Sequence, residues 1–405
     1  MPSPFPFVGA APRLTPRGEW VKVPRGWDRE AHEDWLAKRP QPALKRLFER
    51  LNGPEESAEL ALQLCYYLFL DGAYGPAREI LEQADARFPG NLQILLNLAV
   101  LQSRTHGHAE ARKTLERYLE LGGDEPSAYD GLCAACHKLG DDEAARGWGR
   151  KAIEEKSRIA SARSQRFELG DPRPEGVSII SFSLWGSNPR YLRGALHNVV
   201  RASALYPAFK CRFYVDASVP ADLIDALAET GAELAMDEGE PATRHRLTRR
   251  FMVADDPTVA RYLVRDCDSL VNEREAAAVA TWLDSGKPFH VMRDWWTHTD
   301  PMLAGMWGGI GGVLPAVAPM IQGYRSREIE TPNWDQWFLR DCIWTSIRDA
   351  ATVHDRLFGT AGSQPFPGVR PQGNYHVGQN EFAVRKEEQA RELAPFKASV
   401  PSLQL

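Results

Sequence analysis

The feature that most restricts what this chain can become is a 34-residue period in its first half. Setting residues 58–91 above 92–125 brings Leu64, Leu98 and Leu132 into one column and the small Cys65, Ala99 and Cys133 into the next. Ala77, Ala111 and Ala145 fall in a third column, and glycine recurs near the inter-helix turn at Gly72, Gly107 and Gly140. Apolar residues at helical spacing inside such a period mean one helical hairpin per repeat, each stacked on the next. The alanine column marks where two helices approach closely and only a small side chain fits. The helical pattern runs from about 45 to 160, and Pro89 closes its first unit. Residues 1–44 read as a Pro-, Arg- and Trp-rich extension packed on something else, with a short helix at 28–38. The polar stretch 161–175 reads as a linker or a last capping helix.

This region resembles the tetratricopeptide repeat, in three units with the last degenerate, although the aromatic hallmark of the first helix is missing. The resemblance implies a concave groove suited to a peptide or protein partner. Cys133-Ala-Ala-Cys136 has the spacing of a redox or zinc pair. Both cysteines sit at small-residue positions of the third repeat, however, and read as packing. His106 and His108 flank a turn glycine and read as a solvated turn.

At 405 residues the chain has room for two or three domains, and 43% hydrophobic with 25% charged residues is the balance of a soluble globular protein. A net charge of −5 excludes the basic footprint of a nucleic-acid binder. Six scattered cysteines make no disulfide framework and suit a reducing compartment. Prolines at positions 2, 4 and 6 interrupt what a signal peptide would need as a continuous apolar helix, so a cytoplasmic location is expected. Residues 301–324 lack ionisable side chains other than a tyrosine, yet six glycines and three prolines there point to buried strand and loop, not a membrane span.

After residue 175 the pattern changes to alternating strands and helices. Strands are expected at 177–185, 210–215, 232–236 and 262–264, with helices at 191–205 and 219–230 between them. That order is a parallel sheet of α/β type, whose ligands lie beyond the carboxyl ends of the strands. Asp266 and Asp268 fall at such an end. Two carboxylates two residues apart can both reach one hard divalent cation, the partner a nucleotide diphosphate needs. A solvated acidic turn is the plainer alternative. Further on come a helix at 273–285, a strand at 289–294, a glycine-rich stretch at 302–308 and a helix from Asn333 to about Ala351.

The motifs Ser181-Phe-Ser-Leu-Trp-Gly, Arg265-Asp-Cys-Asp-Ser, His290-Val-Met-Arg-Asp, Ala304-Gly-Met-Trp-Gly, Asp335-Gln-Trp-Phe-Leu-Arg-Asp and His354-Asp, in that order, resemble the bacterial GT-A nucleotide-sugar glycosyltransferases. The order of an Asp-x-Asp pair, a glycine-containing strand, an Asp-Gln pair and a histidine also parallels glycogenin-type enzymes. Two departures stand out: the second Asp after Asp-Gln is Trp337 here, and the Lys-Pro-Trp segment after the histidine is absent.

The resemblance implies a Rossmann-like mixed-sheet GT-A domain over 176–385, behind the all-α repeat domain, with a C-terminal tail at 386–405. It implies that Asp266 and Asp268 hold Mn²⁺ or Mg²⁺ on the donor diphosphate, with His354 as third ligand and His376 as its rival. Trp185, Asn188 and Tyr191 would cradle the base, or else pack the loop. Gly305 would bring backbone close to the ligand. Arg250 and Arg265 would pair with phosphates, unless Arg265 bridges to a neighbouring carboxylate. Asp335 is the first candidate for the reacting carboxylate and Asp294 the second, with a helix N-cap as the alternative for Asp335. Trp295, Trp296, Trp307 and Trp334 suit either sugar stacking or the core.

The expected function is metal-dependent transfer of a sugar from a nucleotide-diphosphate donor, a UDP-sugar by resemblance, to an acceptor that the repeats help to hold. A protein or peptide fits that role. The alternatives are a scaffold that has lost catalysis, and a nucleotide-sugar hydrolase or nucleotidyltransferase. The absence of a Gly-rich phosphate loop with lysine counts against the last. Donor, acceptor, stereochemical outcome and oligomeric state stay open.

Overall fold

The computed structural model describes residues 24–54, 56–237, 243–324, 333–368, 375–380 and 386–404; the expected motif positions Gly373 and Asn374 and the first 23 residues lie outside these. The described residues form two compact units, one ending at Glu155 and one beginning at Lys156. The first is helical and the second is built on a mixed sheet.

The first unit contains α1 (Arg29–Leu36), α2 (Pro40–Leu51), α3 (Ala58–Leu70), α4 (Tyr74–Arg87), α5 (Leu92–Arg104), α6 (His108–Glu120), α7 (Pro126–Lys138) and the start of α8 (Asp142–Arg163). The helices α3, α5 and α7 start at residues 34 apart, and so do α4, α6 and α8. All nine residues of the three sequence columns are buried. Cys133 and Cys136 are buried free thiols inside α7, as packing requires.

Two expectations change here. Residues 24–44 are no surface extension: α1 and α2 form a further helical pair whose Ala31, Ala43 and Leu47 join the core. Trp35 stacks on Tyr67 with ring centroids 4.4 Å apart. The buried Asp28 caps α1 and is held by Arg46 and Arg50. The second change concerns the turn glycine. In register with Gly72 and Gly140, both at positive φ, the middle repeat has His106 at φ 64°, and Gly107 beside it keeps φ −82°.

The second unit alternates β1 (Val177–Leu184), α9 (Pro189–Leu205), β2 (Lys210–Val215), α10 (Ala221–Glu229), β3 (Glu233–Met236), α11 (Thr243–Thr248), β4 (Val259–Arg265), α12 (Glu273–Asp284), β5 (Phe289–Arg293), β6 (Met306–Ile310), α13 (Val317–Gly323), α14 (Trp334–Phe338), β7 (Ala351–Asp355) and β8 (Ser363–Gln364). The sheet order is β3-β2-β1-β4-β6-β5-β7-β8, parallel except for β6, which runs antiparallel between β4 and β5. The chain therefore winds outwards from β1 to β3, then jumps back to β4 on the other side of β1. At that reversal the connections leave in opposite directions and open a crevice beyond the ends of β1 and β4.

Alternation along each strand sends neighbours to opposite faces. Ile179, Tyr262, Val264, Phe289, Val291 and Val353 pack on one face, against α13 and α14. Ile180, Phe182 and Leu263 pack on the other, against α9, α10 and α12. Residues expected to form a 161–175 linker lie on this unit: α8 continues to Arg163, the Phe167 amide bonds to Ser346, and Gly170 to Val313. The expected tail at 386–405 is also structural. A helix at Lys386–Leu393 and the turn at Pro401–Leu403 put Leu393, Val400 and Leu403 into the α9 face. Arg201 of α9 pairs with Glu388 and Glu392 of that helix. The helix expected from Asn333 to about Ala351 runs without interruption from Trp334 to Ala350 but changes pitch along the way, from α through a π segment at Leu339–Trp344 and an α turn at Thr345–Ile347 to a final 3₁₀ turn.

Candidate active site

Asp266 continues the parity of Tyr262 and Val264, so its carboxylate leaves β4 on the face that carries Arg250 and α14. Arg250, buried at 4% exposure, lies in the 3₁₀ turn Arg249–Ala254 that follows α11. Its guanidinium donates to Asp266, to the Arg265 carbonyl at 3.1 Å and to Asp335 Oδ2 at 2.8 Å. One buried cation thus ties Asp266 to the Asp-Gln motif 69 residues later in the sequence. Asp335 is not the helix N-cap: Asn333 occupies that position, and Asp335 sits in the first turn of α14. Burial pushes its carboxyl up to about 6, with Asp266 adding to the rise and Arg250 opposing it.

Asp268 turns towards α9, where Arg190 in the first turn pairs with it at 2.5 Å. Burial, then the neighbouring Asp266, raises its pKa above the ordinary carboxylate value. The loop between these carboxylates is held from behind by Asn198, fully buried on α9. Its amide donates to the carbonyls of Cys267 and Ser269 at 3.1 and 3.0 Å and accepts from Val271 N at 2.9 Å. α9 can lie this close because residue 194 is glycine: a Cβ there would come within 2.4 Å of the Cys267 carbonyl oxygen. Opposite, a Cβ at residue 305 would overlap the Asp266 carboxylate. Gly305 is thus a cradle for Asp266, placed next to it because Met306 pairs with Arg265 across β4 and β6.

The other expected base-side residues flank this crevice. Asn188 caps α9 and accepts from Arg190 N, Tyr191 is 38% exposed, and Trp185 is half-buried at the end of β1. Burial, and after it the charge of Asp268, raises the Tyr191 pKa. Beyond β2, Asp216 collects Arg246 at 2.8 Å and Arg249 at 3.3 Å.

Several expected roles are overturned by position. Arg265 points to the opposite face from Asp266 and forms a fully buried pair with Glu275 at 2.6 Å, so the bridging alternative holds and phosphate contact does not. His354 lies on β7, separated from β4 by β6 and β5, and its parity sends it to the α12 face. Its Nδ1 meets His290 Nε2 at 2.8 Å and its Nε2 meets Gln364 at 3.0 Å. Burial pushes its pKa down to about 4. It is a core histidine and cannot reach the acidic pair. His376 is nearer by chain path: Ser269 bridges Asn380, Leu270 N bonds to Gln379 O, and the His376 ring stacks on Trp295 at 4.3 Å. Asp294 is fully buried and taken up by Arg274 at 3.0 Å and the Val377 amide at 2.8 Å, which makes it scaffold. Trp296, Trp307 and Trp334 fill the core, leaving Trp295 as the half-exposed member of the group.

Whether this mouth suits a divalent cation can be tested on two features. The Asp266 carboxylate is 43% exposed and lies over bare backbone at Gly305. Arg250, although buried, leaves its Nε without a hydrogen-bond partner. Hard carboxylate oxygens facing solvent beside under-used guanidinium donors fit a cation with an anionic partner. Among the described residues no three His, Cys, Asp or Glu side chains are gathered as a complete metal cage.

Arg190, Gly194 and Asn198 belong to the site without a motif that marks them. A clue was present for the last: asparagine in mid-helix on an otherwise apolar face needs a specific partner.

Residues 68–136 match the tetratricopeptide repeat family model. The helical unit carries tetratricopeptide repeats. No curated protein sequence matches the chain. Among solved structures, a mutant O-GlcNAc transferase of Thermobaculum terrenum is 21% identical with a TM-score of 0.38, covering 58% of this chain and 44% of its own. This chain thus spans less than half of that transferase. MamA from Desulfovibrio magneticus RS-1 is 17% identical with a TM-score of 0.29, covering 32% and 78%. A thermophilic repeat protein of Thermus thermophilus is 18% identical with a TM-score of 0.26, covering 33% and 77%. Overlaps this loose carry no conclusion about function. No described helix is long and apolar enough to cross a membrane.

Proposed function

We propose that the sheet unit is a metal-dependent GT-A-type glycosyltransferase domain that moves a sugar from a nucleotide-diphosphate donor to an acceptor held with the help of the repeat unit. The observation that carries this reading is the meeting of Asp266 and Asp335 on Arg250, with Asp268 beside them on Arg190, beyond the end of β4 where the strand order reverses. In this reading Asp266 and Asp268 hold Mn²⁺ or Mg²⁺, and no histidine of the β7 strand takes part. The cation would stabilise the departing nucleoside diphosphate as a Lewis acid.

The chain's own groups do the rest. Tyr191 and Trp185 offer ring faces to the base, and Asn188 fixes the loop that carries them. Arg250 and Arg190 supply fork-shaped donors to phosphate oxygens. Asp335, with its pKa raised to about 6, is ionised at neutral pH and matched to accept a proton from a hydroxyl acceptor. The repeat unit suits a protein or peptide acceptor, because stacked helical hairpins present an extended surface to a partner.

The test is a thermal-shift panel of UDP, GDP, CDP and dTDP, each with and without Mn²⁺. A ligand that binds the folded state raises the melting temperature by mass action. One nucleotide should give a Mn²⁺-dependent shift that Asp266→Ala and Asp268→Ala abolish. If none shifts the protein, the transferase reading is wrong, and the repeats would make the chain a scaffold.

A further inference from the structure

The acidic pair at the mouth already has counter-ions of its own. Arg250 holds Asp266 and Arg190 holds Asp268 at 2.5 Å, one guanidinium for each carboxylate. The two arginines differ in freedom. Arg250 is 5% exposed on its side chain and stays anchored to Asp335 through Nη2 at 2.8 Å, so it can release Asp266 by a small rotation without losing its place. Arg190 is 37% exposed and arches over the Tyr191 ring at 5.8 Å, and among the described residues Asp268 is its one ion-pair partner. Both leave Nε without a hydrogen-bond partner.

We propose that cation and nucleotide diphosphate enter by an exchange of partners: the cation takes Asp266 and Asp268 from the arginines, and Arg250 and Arg190 pass to the diphosphate oxygens. Neither ligand then binds well alone. This rests on the transferase reading above and adds to it how the acidic pair keeps counter-ions and how the two ligands of the site depend on each other.

The electrostatics follow from counting charges. A cation arriving alone must strip Arg190 of its carboxylate and leave the buried Arg250 with Asp335 as its remaining carboxylate, and a buried charge that loses one of its partners is costly. A diphosphate arriving alone must draw the arginines away and leave two carboxylates, two residues apart, facing each other without a counter-ion. When both arrive, each carboxylate meets the metal and each guanidinium meets phosphate, so every charge keeps a partner. Guanidinium forks match phosphate oxygens at least as well as they match carboxylates, so the exchange loses no hydrogen bonding.

The experiment is isothermal titration of the full chain with Mn²⁺ alone, with UDP, GDP, CDP or dTDP alone, and with each in the presence of the other. For the nucleotide that binds, saturating Mn²⁺ should tighten binding by about tenfold or more, and that nucleotide should tighten Mn²⁺ by the same factor. Direct contact between metal and phosphate would also produce coupling, so a substitution separates the two causes. Arg190→Gln, at a half-exposed position that does not endanger the fold, should bind Mn²⁺ alone about fivefold or more tighter while binding the Mn²⁺–nucleotide pair more weakly. Arg190→Lys should move both back towards wild type. Mn²⁺ binding that is unchanged or weaker in Arg190→Gln overturns the exchange, as does independent binding of the two ligands, and in either case the transferase reading stands. If wild type binds no nucleotide even with Mn²⁺, the transferase reading falls first and the exchange falls with it.

Discussion

The two units bury charge on different scales. Among the described residues up to Glu155, Asp28 is the one buried charged side chain, and the arginines that hold it are 40% and 35% exposed. The sheet unit buries Arg250, Arg265, Glu275, Arg293, Asp335 and Asp355, among others, and these six form three pairs: Arg250–Asp335, Arg265–Glu275 and Arg293–Asp355. A repeat stack needs only apolar columns, because each hairpin repeats the same contact with the next. The sheet unit accepts the desolvation of ions because parallel strands end together at one edge. There, charges from distant parts of the sequence can neutralise each other. The contrast also sorts those ions. Pairs sealed on both sides, such as Arg265–Glu275 and Arg293–Asp355, hold the frame. Pairs with one exposed member, such as Arg190–Asp268, sit where a ligand can enter.

The largest effect that tests this contrast is the loss of a sealed pair. Arg265→Met leaves Glu275 buried without its cation and should cost about 3–5 kcal/mol, against about 1 kcal/mol or less for Arg46→Met in the repeat unit. Urea unfolding of both variants measures the difference, and equal losses would erase the distinction between the units. Adding Glu275→Gln to Arg265→Met should recover part of the loss.

A second, smaller effect comes from acid. Burial and the neighbouring His354 hold the His290 pKa well below its ordinary value, and burial brings His354 to about 4. A histidine kept neutral in the folded state binds fewer protons than its unfolded counterpart once the pH drops below about 6.5. Its contribution to stability is therefore fully present above that pH and drains away as the pH falls towards 4, by up to about 1.4 kcal/mol per pH unit for each such histidine. The sheet unit should unfold at lower urea as the pH goes from 7 to 5. Replacing His354 by Asn should flatten that slope; an unaltered slope would move the acid sensitivity elsewhere.

The smallest effect belongs to the repeat unit. His106→Gly puts glycine at the left-handed position that Gly72 and Gly140 occupy in their repeats, and relief of the strained φ should stabilise by about 0.5–1 kcal/mol. A rise in the repeat unit's thermal midpoint is the readout. No change would mean that the His106 side chain contributes as much there as the strain costs.

Much of the architecture was legible because it is local. Helix starts 34 residues apart, the β1–α9–β2–α10–β3 order and the strand ending at Asp266 all follow from patterns a few residues long, and the structure carries them. At the site, motif order does not imply proximity. His354 follows the Asp-Gln motif closely in sequence, yet two intervening strands and one step of parity place it on the wrong face. Arg265 adjoins Asp266 and for the same reason of alternation points away from it. The C-terminal helix looked like a polar tail because its contribution is a few spaced apolar residues, Leu393, Val400 and Leu403, that matter only once α9 is there to receive them.

What the sequence determined by itself is whatever depends on period and spacing: the repeat unit, the strands, and a pair of carboxylates leaving β4 together. What only the tertiary structure decided is which charges meet. Whether Arg250 binds phosphate, a neighbour or nothing depends on the 3₁₀ turn and α14 arriving at the same strand end. The reason is physical: hydrogen bonds and ion pairs act over about 3 Å, and the distance along a chain says little about that scale until the sheet order is set.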